Sequence, residues 1–251
     1  MDTKGLESHD HLSWPTTAPE AIKHQTEMAE KIEIFGNFDD LKYVAAVDTA
    51  YGKNAEVVYA AAVVFAFPEI VEIERSFRYN RVTFPYQPGL FYYREGPTML
   101  EALARLETQP DVIIVHGHGI AHPRRCGIAG QVGVAMGKPT IGCARRLLAG
   151  THRAVSDLKG SQQAIVIKGK EVGYAYRSKE RVKPIFISPG HLCNLEQARD
   201  IVVRCLRGYR VPEPLRLAHL YANKFRRRTE AKMTRTDSNT PPQLGSPQAM
   251  R

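Results

Sequence analysis

Between positions 115 and 127 the chain reads Val-His-Gly-His-Gly-Ile-Ala-His-Pro-Arg-Arg-Cys-Gly, a run dense in imidazoles, glycines and guanidinium groups. Imidazoles ligate metals and move protons, arginines answer phosphate, and glycines leave backbone bare for a flat base to approach. The apolar stretch Asp111-Val112-Ile113-Ile114-Val115 before it reads as a short buried strand. Such a strand would deliver the loop to one edge of a sheet. A Gly-rich loop is by itself a weak signal, and surface histidines fit it too.

Other candidates lie elsewhere. Asp48 interrupts the apolar run Val44-Ala45-Ala46-Val47. A carboxylate in a central strand is costly unless a cation or hydrogen-bond donors answer it, so Asp48 reads as a metal ligand or as a cap at a strand end. Glu95 follows Phe91-Tyr92-Tyr93-Arg94 at the expected start of a helix, where the helix dipole would favour its charge without any metal. It becomes a second ligand if Asp48 lies close by. His191, in Ser188-Pro189-Gly190-His191, falls between an expected strand and an expected helix. It could bind a metal, orient water, move a proton or be structural. In Pro85-Tyr86-Gln87-Pro88-Gly89, two prolines stiffen the loop around one aromatic. A rigid aromatic tip suits insertion into a base stack, unless Tyr86 packs inward. Lys179, Arg181 and Lys183, with Arg124, Arg125, Arg145 and Arg146, fit a phosphate track or a solvated basic face.

The elements that must position these residues follow from periodicity and turn signals. An amphipathic helix is expected over 19–33, capped by Thr17. Strands over 43–51, 57–65 and 70–83, with a turn at Gly52-Lys53-Asn54, suggest an antiparallel meander. A helix over 96–107 with Pro97 in its first turn follows. Then come a strand at 111–115, a helix at 129–136, and strands at 139–143, 164–167, 172–176 and 184–188. Helices over 195–207 and 214–227 complete the pattern. The fold class is α/β, a mixed sheet of antiparallel strands followed by parallel strands and flanked by helices. Residues 1–18 read as a flexible segment, 19–228 as a single domain and 229–251 as a disordered tail, since Ser, Thr, Pro and Gln take over there.

The chain has 251 residues and a formal net charge of +9, which favours a polyanionic partner through phosphate neutralisation. Cys126, Cys143, Cys193 and Cys205 show no paired spacing, so buried thiols and a reducing compartment fit. No stretch approaches a membrane-spanning length, and the N-terminus lacks the apolar core of a secretory signal. The reading is a cytoplasmic protein, monomeric and without a membrane partner.

Taken together and in this order, the pieces resemble the endonuclease V family over roughly residues 43–216. The resemblance is carried by the strand bearing Asp48, the Pro-Tyr-x-Pro-Gly loop at 85–89, Tyr93-Arg94-Glu95, and Gly117-His118-Gly119-Ile120-Ala121-His122-Pro123-Arg124-Arg125. It continues through Pro139-Thr140-Ile141-Gly142, Arg177-Ser178-Lys179, Gly190-His191 and the segment Gly208-Tyr209-Arg210-Val211-Pro212-Glu213-Pro214. The Gly-His-Gly-x-x-His-Pro-Arg-Arg element is highly specific to that family.

The resemblance implies an RNase H-like fold and a Mg²⁺-dependent nuclease, with Mn²⁺ as substitute. It implies action in repair on inosine in DNA or RNA, cutting the second phosphodiester 3′ to the lesion. It implies Asp48 and Glu95 as metal-site acids, Tyr86 with Pro85 as a wedge, and His191 as a histidine near the metal. Gly117, His118, Gly119, His122 and Arg124 would meet the flipped base or its phosphates, and Arg145 would stabilise charge on the phosphoryl oxygens. Two positions depart from the pattern. His116 stands where the family has Asp, and Arg145 where it usually has Lys. An imidazole removes a negative ligand and shifts preference from Mg²⁺ towards borderline metals such as Mn²⁺, Co²⁺ or Zn²⁺. Weaker Mg²⁺ binding and slower cleavage are expected. The alternative is a protein that binds inosine lesions but has lost turnover through His116; a general nuclease without inosine preference is a third reading.

Overall fold

In Val44-Ala45-Ala46-Val47, side chains alternate between two apolar layers: Ala45 and Val47 enter one buried cluster, Val44 and Ala46 another. A strand apolar on both faces must lie in the middle of a sheet covered on both sides. The computed structural model, which describes residues 14–238 apart from 37 and 39, has this arrangement. Strands β1 (Tyr43–Tyr51), β2 (Val57–Ala66), β3 (Val71–Arg81), β4 (Val112–His116), β5 (Thr140–Ala144), β6 (Gln162–Ile167), β7 (Lys170–Tyr176) and β8 (Ile185–His191) form one sheet. Their order is β3-β2-β1-β4-β5-β8-β7-β6. The β1-β2-β3 meander is antiparallel as expected, and β1, β4 and β5 run parallel. The expectation of parallel strands thereafter holds only that far: β8 pairs antiparallel with β5, and β7 and β6 continue antiparallel.

Helices α1 (Ala18–Glu30), α2 (Phe91–Ala104) and α3 (Ile128–Met136) contribute to the layer shared with Ala45 and Val47. Helices α4 (Leu195–Arg204) and α5 (Glu213–Ser238) contribute to the other. The α1 cap is a reciprocal box in which Thr17 and Glu20 each satisfy the other's backbone.

Three differences from the sequence expectation matter. Helix α2 begins at Phe91, so Pro97 lies inside it and Glu95 is not a first-turn residue. Helix α5 runs on to Ser238, so residues 229–238 of the expected disordered tail are helical. That stretch holds no Gly or Pro to stop a helix, and Arg226 and Glu230 pair one turn apart at 3.0 Å. At the other end, Trp14 of the expected flexible segment packs against Tyr92 with ring centroids 5.1 Å apart. Residues 1–13 and 239–251 of those two segments lie outside the described residues.

Candidate active site

Strand alternation sets the site. The even positions of β1 face the α5 layer, so Asp48 turns towards α5 and towards its neighbour in β4. The register pairs Val47 with Val115, which brings His116 alongside Asp48. The His116 Nδ1–H donates to Asp48 Oδ1 at 2.8 Å, and the His219 Nδ1–H, from α5, donates to Asp48 Oδ2 at 3.0 Å. The Thr49 amide adds a bond to Oδ1 at 2.7 Å. His219 is further fixed by Asn223, whose Nδ2 stands 3.3 Å from His219 Nε2. Asp48 is buried, with 3% of its surface exposed.

The odd positions turn the other way, towards α2. Thr49 Oγ1 donates to Glu95 Oε2 at 3.0 Å, and the Tyr51 hydroxyl donates to Glu95 Oε1 at 2.8 Å. Asp48 of β1 and Glu95 of α2, the latter held by Thr49 and Tyr51 of β1, thus line a common cleft of about 530 Å³.

Electrostatics separates the two acids. Burial works to raise the Asp48 pKa, but the charge of His116 and the hydrogen bonds from His116 and His219 outweigh it, taking Asp48 down to about 2. Burial likewise works to lower His116, yet attraction and hydrogen bonding to Asp48 carry it above the ordinary histidine value. For Glu95, burial dominates and pushes the pKa up; hydrogen bonds from Tyr51 and Thr49 offset this only in part.

Thr49, Tyr51, Tyr86, Pro88, Gly89, Gly117, His118, His122, Arg145, Arg146 and His219 also line the cleft. Tyr86 is 68% exposed at its lip, its ring 5.4 Å from that of Phe91. It therefore projects rather than packing inward. His118 is buried and donates from Nε2 to the Arg146 carbonyl at 2.9 Å; burial lowers its pKa to about 4.

Several expected residues stand elsewhere. His191 is the correction. It is the last residue of β8 and pairs with Thr140 at the start of β5, whereas Arg145 follows the far end of β5. Arg145 lies five steps along the chain from Thr140, roughly 16 Å at the usual rise per residue. His191 Nδ1 instead accepts the Glu33 amide at 3.2 Å, a structural role. Gly119 is buried in the packing, its amide donating to Ser188 Oγ at 2.9 Å. Arg124 reaches back to Gln25 and to the Gly89 carbonyl rather than into the cleft. Neither Pro85 nor Lys179, Arg181 and Lys183 line it.

His219, Thr49 and Tyr51 were not picked out from the sequence. His219 lies four residues after Leu215 and one after Ala218, both buried. A polar residue on an apolar helix face is the same kind of interruption that exposed Asp48.

Whether these residues suit a divalent cation turns on their donors. Glu95 is a half-buried carboxylate whose hydrogen-bond partners among the described residues are neutral hydroxyls, with only a smaller attraction from His116, which fits a cationic neighbour. Both Asp48 oxygens accept from imidazole N–H groups, and among the described residues no three His, Cys, Asp or Glu stand arranged to hold an ion. The two carboxylates fit a hard divalent cation in kind; His116 would join them through its remaining nitrogen, Nε2.

A mixed sheet whose central strand carries a buried acid, beside a cleft lined by a second acid, a projecting aromatic and arginines, suits an enzyme of the phosphodiester-cleaving class. Comparison gives the family. A sequence model of endonuclease V matches residues 26–220. The chain is 41% identical over 211 residues to an endonuclease V of Nostoc sp., spanning 84% of this chain and 96% of that protein. It is 42% identical over 220 residues to that of Gloeobacter violaceus, spanning 86% and 89%. The crystal structure of endonuclease V from Streptomyces avermitilis superposes with a TM-score of 0.81 at 35% identity, covering 88% of this chain and 96% of that one. Endonuclease V of Ciona intestinalis, in complex with a DNA containing an inosine followed by a ribo-adenosine, superposes at 0.75 with 27% identity, covering 84% and 98%. The chain belongs to the endonuclease V family, nucleases that hydrolyse phosphodiester bonds.

Proposed function

We propose that this protein is a divalent-cation-dependent endonuclease that recognises inosine in DNA or RNA and cleaves the second phosphodiester 3′ to it. The observation behind this reading is the meeting of Asp48 and Glu95, from separate segments, in one cleft beside the projecting Tyr86. The Ciona relative's complex with inosine-containing DNA supports the choice of lesion.

Tyr86 fills the gap left when the base swings out, and a deaminated base resists that least. The extruded base enters beside Gly117, His118 and His122. His118 and His122, each lowered to about 4 chiefly by burial, stay neutral at physiological pH; His118 Nδ1 has no partner among the described residues and could hydrogen-bond the base, while both His122 nitrogens are already engaged. Asp48 and Glu95 would hold the cation, with His116 as a neutral third ligand; when bound, the ion polarises the scissile phosphate and acidifies water. Arg145 neutralises charge that grows on the phosphoryl oxygens. Thr49 and Tyr51 keep Glu95 aimed at the cleft, and His219 fixes Asp48.

A second reading has a specific observation in its favour. Both Asp48 oxygens are engaged by imidazoles, so a protein that binds inosine without turnover fits as well. Nicking of an inosine-containing duplex in Mg²⁺ and in Mn²⁺, beside a gel-shift titration, decides. Nicking that is faster in Mn²⁺ supports the nuclease; tight binding with no nick in either metal supports the second reading. Adenine in place of inosine at the same position tests the lesion preference, and Tyr86→Ala should lower binding of inosine duplex about tenfold.

A further inference from the structure

The Gly89 carbonyl, at the base of the loop that carries Tyr86, accepts from three separate donors. Gln25 Nε2 reaches it at 3.0 Å, His122 Nε2 at 3.0 Å and Arg124 Nη2 at 3.2 Å. Gly89 itself sits at φ +80°, a conformation that other residues rarely adopt, so the chain is bent there specifically to present that oxygen.

Each donor is itself held. His122 accepts the Arg124 amide at Nδ1, 3.2 Å away, which leaves Nε2 as the protonated nitrogen and makes its bond to Gly89 a donation. Arg124 Nε donates to Gln25 Oε1 at 2.5 Å. Gln25, 1% exposed on α1, also donates from Nε2 to the Cys126 carbonyl at 2.6 Å and lies 3.2 Å from Gln131 Oε1. One buried amide therefore touches the tip loop through Gly89 and the histidine-glycine loop through Cys126.

We propose that Gln25 is a positioning residue: it locks the 85–89 loop to the 115–127 loop, so that the Tyr86 tip and the base pocket keep one fixed spacing. The inference rests on the reading of Tyr86 as a wedge and adds to it the group that holds the wedge in place. It also reassigns Arg124 and His122, whose side chains brace the loop rather than spend those donors on substrate. A buried amide making four contacts loses little entropy on binding, so the tip is preorganised before nucleic acid arrives.

The test uses the full-length protein with Gln25→Met, which keeps volume but removes all four contacts, and Gln25→Glu, which keeps the acceptor for Arg124 but cannot donate to Gly89. Circular dichroism confirms that each folds. Amide hydrogen exchange over residues 84–93 in the free protein reads the anchoring directly: exchange should rise at least about tenfold there in whichever variant folds. Cleavage of inosine duplex should show KM raised about tenfold with kcat within about twofold. In the Tyr86→Ala background that KM change should shrink to less than about twofold, because both substitutions act through one wedge.

Unchanged exchange at 84–93 overturns the anchoring. Raised exchange with fully additive effects of Gln25→Met and Tyr86→Ala overturns the link to the wedge and leaves Gln25 a merely structural residue. If Tyr86→Ala alone leaves inosine cleavage untouched, the wedge reading fails on its own account and takes this role of Gln25 with it, while exchange still decides the anchoring.

Discussion

Strand β1 ends in two acid-holding arrangements that lie back to back and differ in kind. On the α5 side, Asp48 is answered by imidazoles and its pKa falls; on the α2 side, Glu95 is answered by hydroxyls and its pKa rises. Desolvation is the largest influence on both and raises both, so it does not decide the outcome. A partner that can carry charge reverses the desolvation penalty, and a neutral donor only softens it. The Asp48 side is therefore settled without a cation, whereas the negative charge on the Glu95 side is answered only in part. This contrast predicts that a cation entering the cleft gains most from Glu95 and must compete with His116 for Asp48.

The largest effect that would break the contrast is on catalysis. Asp48→Asn and Glu95→Gln should each lower single-turnover nicking of inosine duplex about a thousandfold. Stability of the cation-free protein should separate them. Asp48→Asn removes the charge that two imidazoles answer and should cost about 3 kcal/mol, whereas Glu95→Gln removes a charge answered only in part and should raise stability near neutral pH. Urea unfolding of both variants in chelator checks this; equal destabilisation would erase the distinction drawn here.

Next in size is the response to His116→Asp. Restoring a carboxylate should tighten Mg²⁺ binding at least about tenfold and narrow the advantage of Mn²⁺, read by calorimetry and by nicking in each metal. The pH dependence sharpens the same point. His116 is raised above the ordinary histidine value, so a cation competes with a proton held more tightly than on a free imidazole. Apparent cation affinity of the wild type should climb as pH rises through the raised His116 value, and the climb should flatten in His116→Asp.

Stability in chelator runs with the opposite sign. The His116 contribution is full below the free-histidine pKa of about 6.5 and is lost as pH rises through its raised folded value. The Asp48 contribution is full above about 4, the free value, and is lost as pH falls towards its folded value of about 2. Glu95 has a raised pKa, so it costs stability once pH passes its unfolded value. His118 and His122, lowered to about 4 by burial, cost stability as pH falls below about 6.5, so the cation-free protein should be most stable at roughly pH 6.

The smallest expected effect is that of Tyr51→Phe. It deletes one neutral donor to Glu95 Oε1 and should slow nicking about threefold, with Asp48-dependent stability unchanged.

Much of this site was legible in the chain. Asp48 and Glu95 broke local patterns, and Tyr86 sat between two prolines that could only stiffen a loop. The runs around 44–47 and 111–115 read as buried strands because they are apolar throughout, but their parallel pairing emerged only in the structure. What stayed hidden depended on tertiary register. His219 becomes a partner of Asp48 only because α5 crosses β1, and Thr49 and Tyr51 meet Glu95 only because α2 starts five residues earlier than Pro97 suggested. Helix starts are set by packing as much as by proline preference, and Pro97 is accommodated within α2. His191 misled because a Gly-His after a strand looks like a site edge; the antiparallel entry of β8 carries it to the opposite end of the sheet. The helical stretch 229–238 was missed because composition was weighed as one block with the Ser/Pro-rich residues beyond it.

The account depends most on one divalent cation being shared by the two acids at the end of β1. Calorimetric titration of Mn²⁺ into the wild type, Asp48→Asn and Glu95→Gln, without nucleic acid, measures that directly. Binding that weakens at least about tenfold in both variants is the predicted result; wild-type affinity retained in both would contradict it.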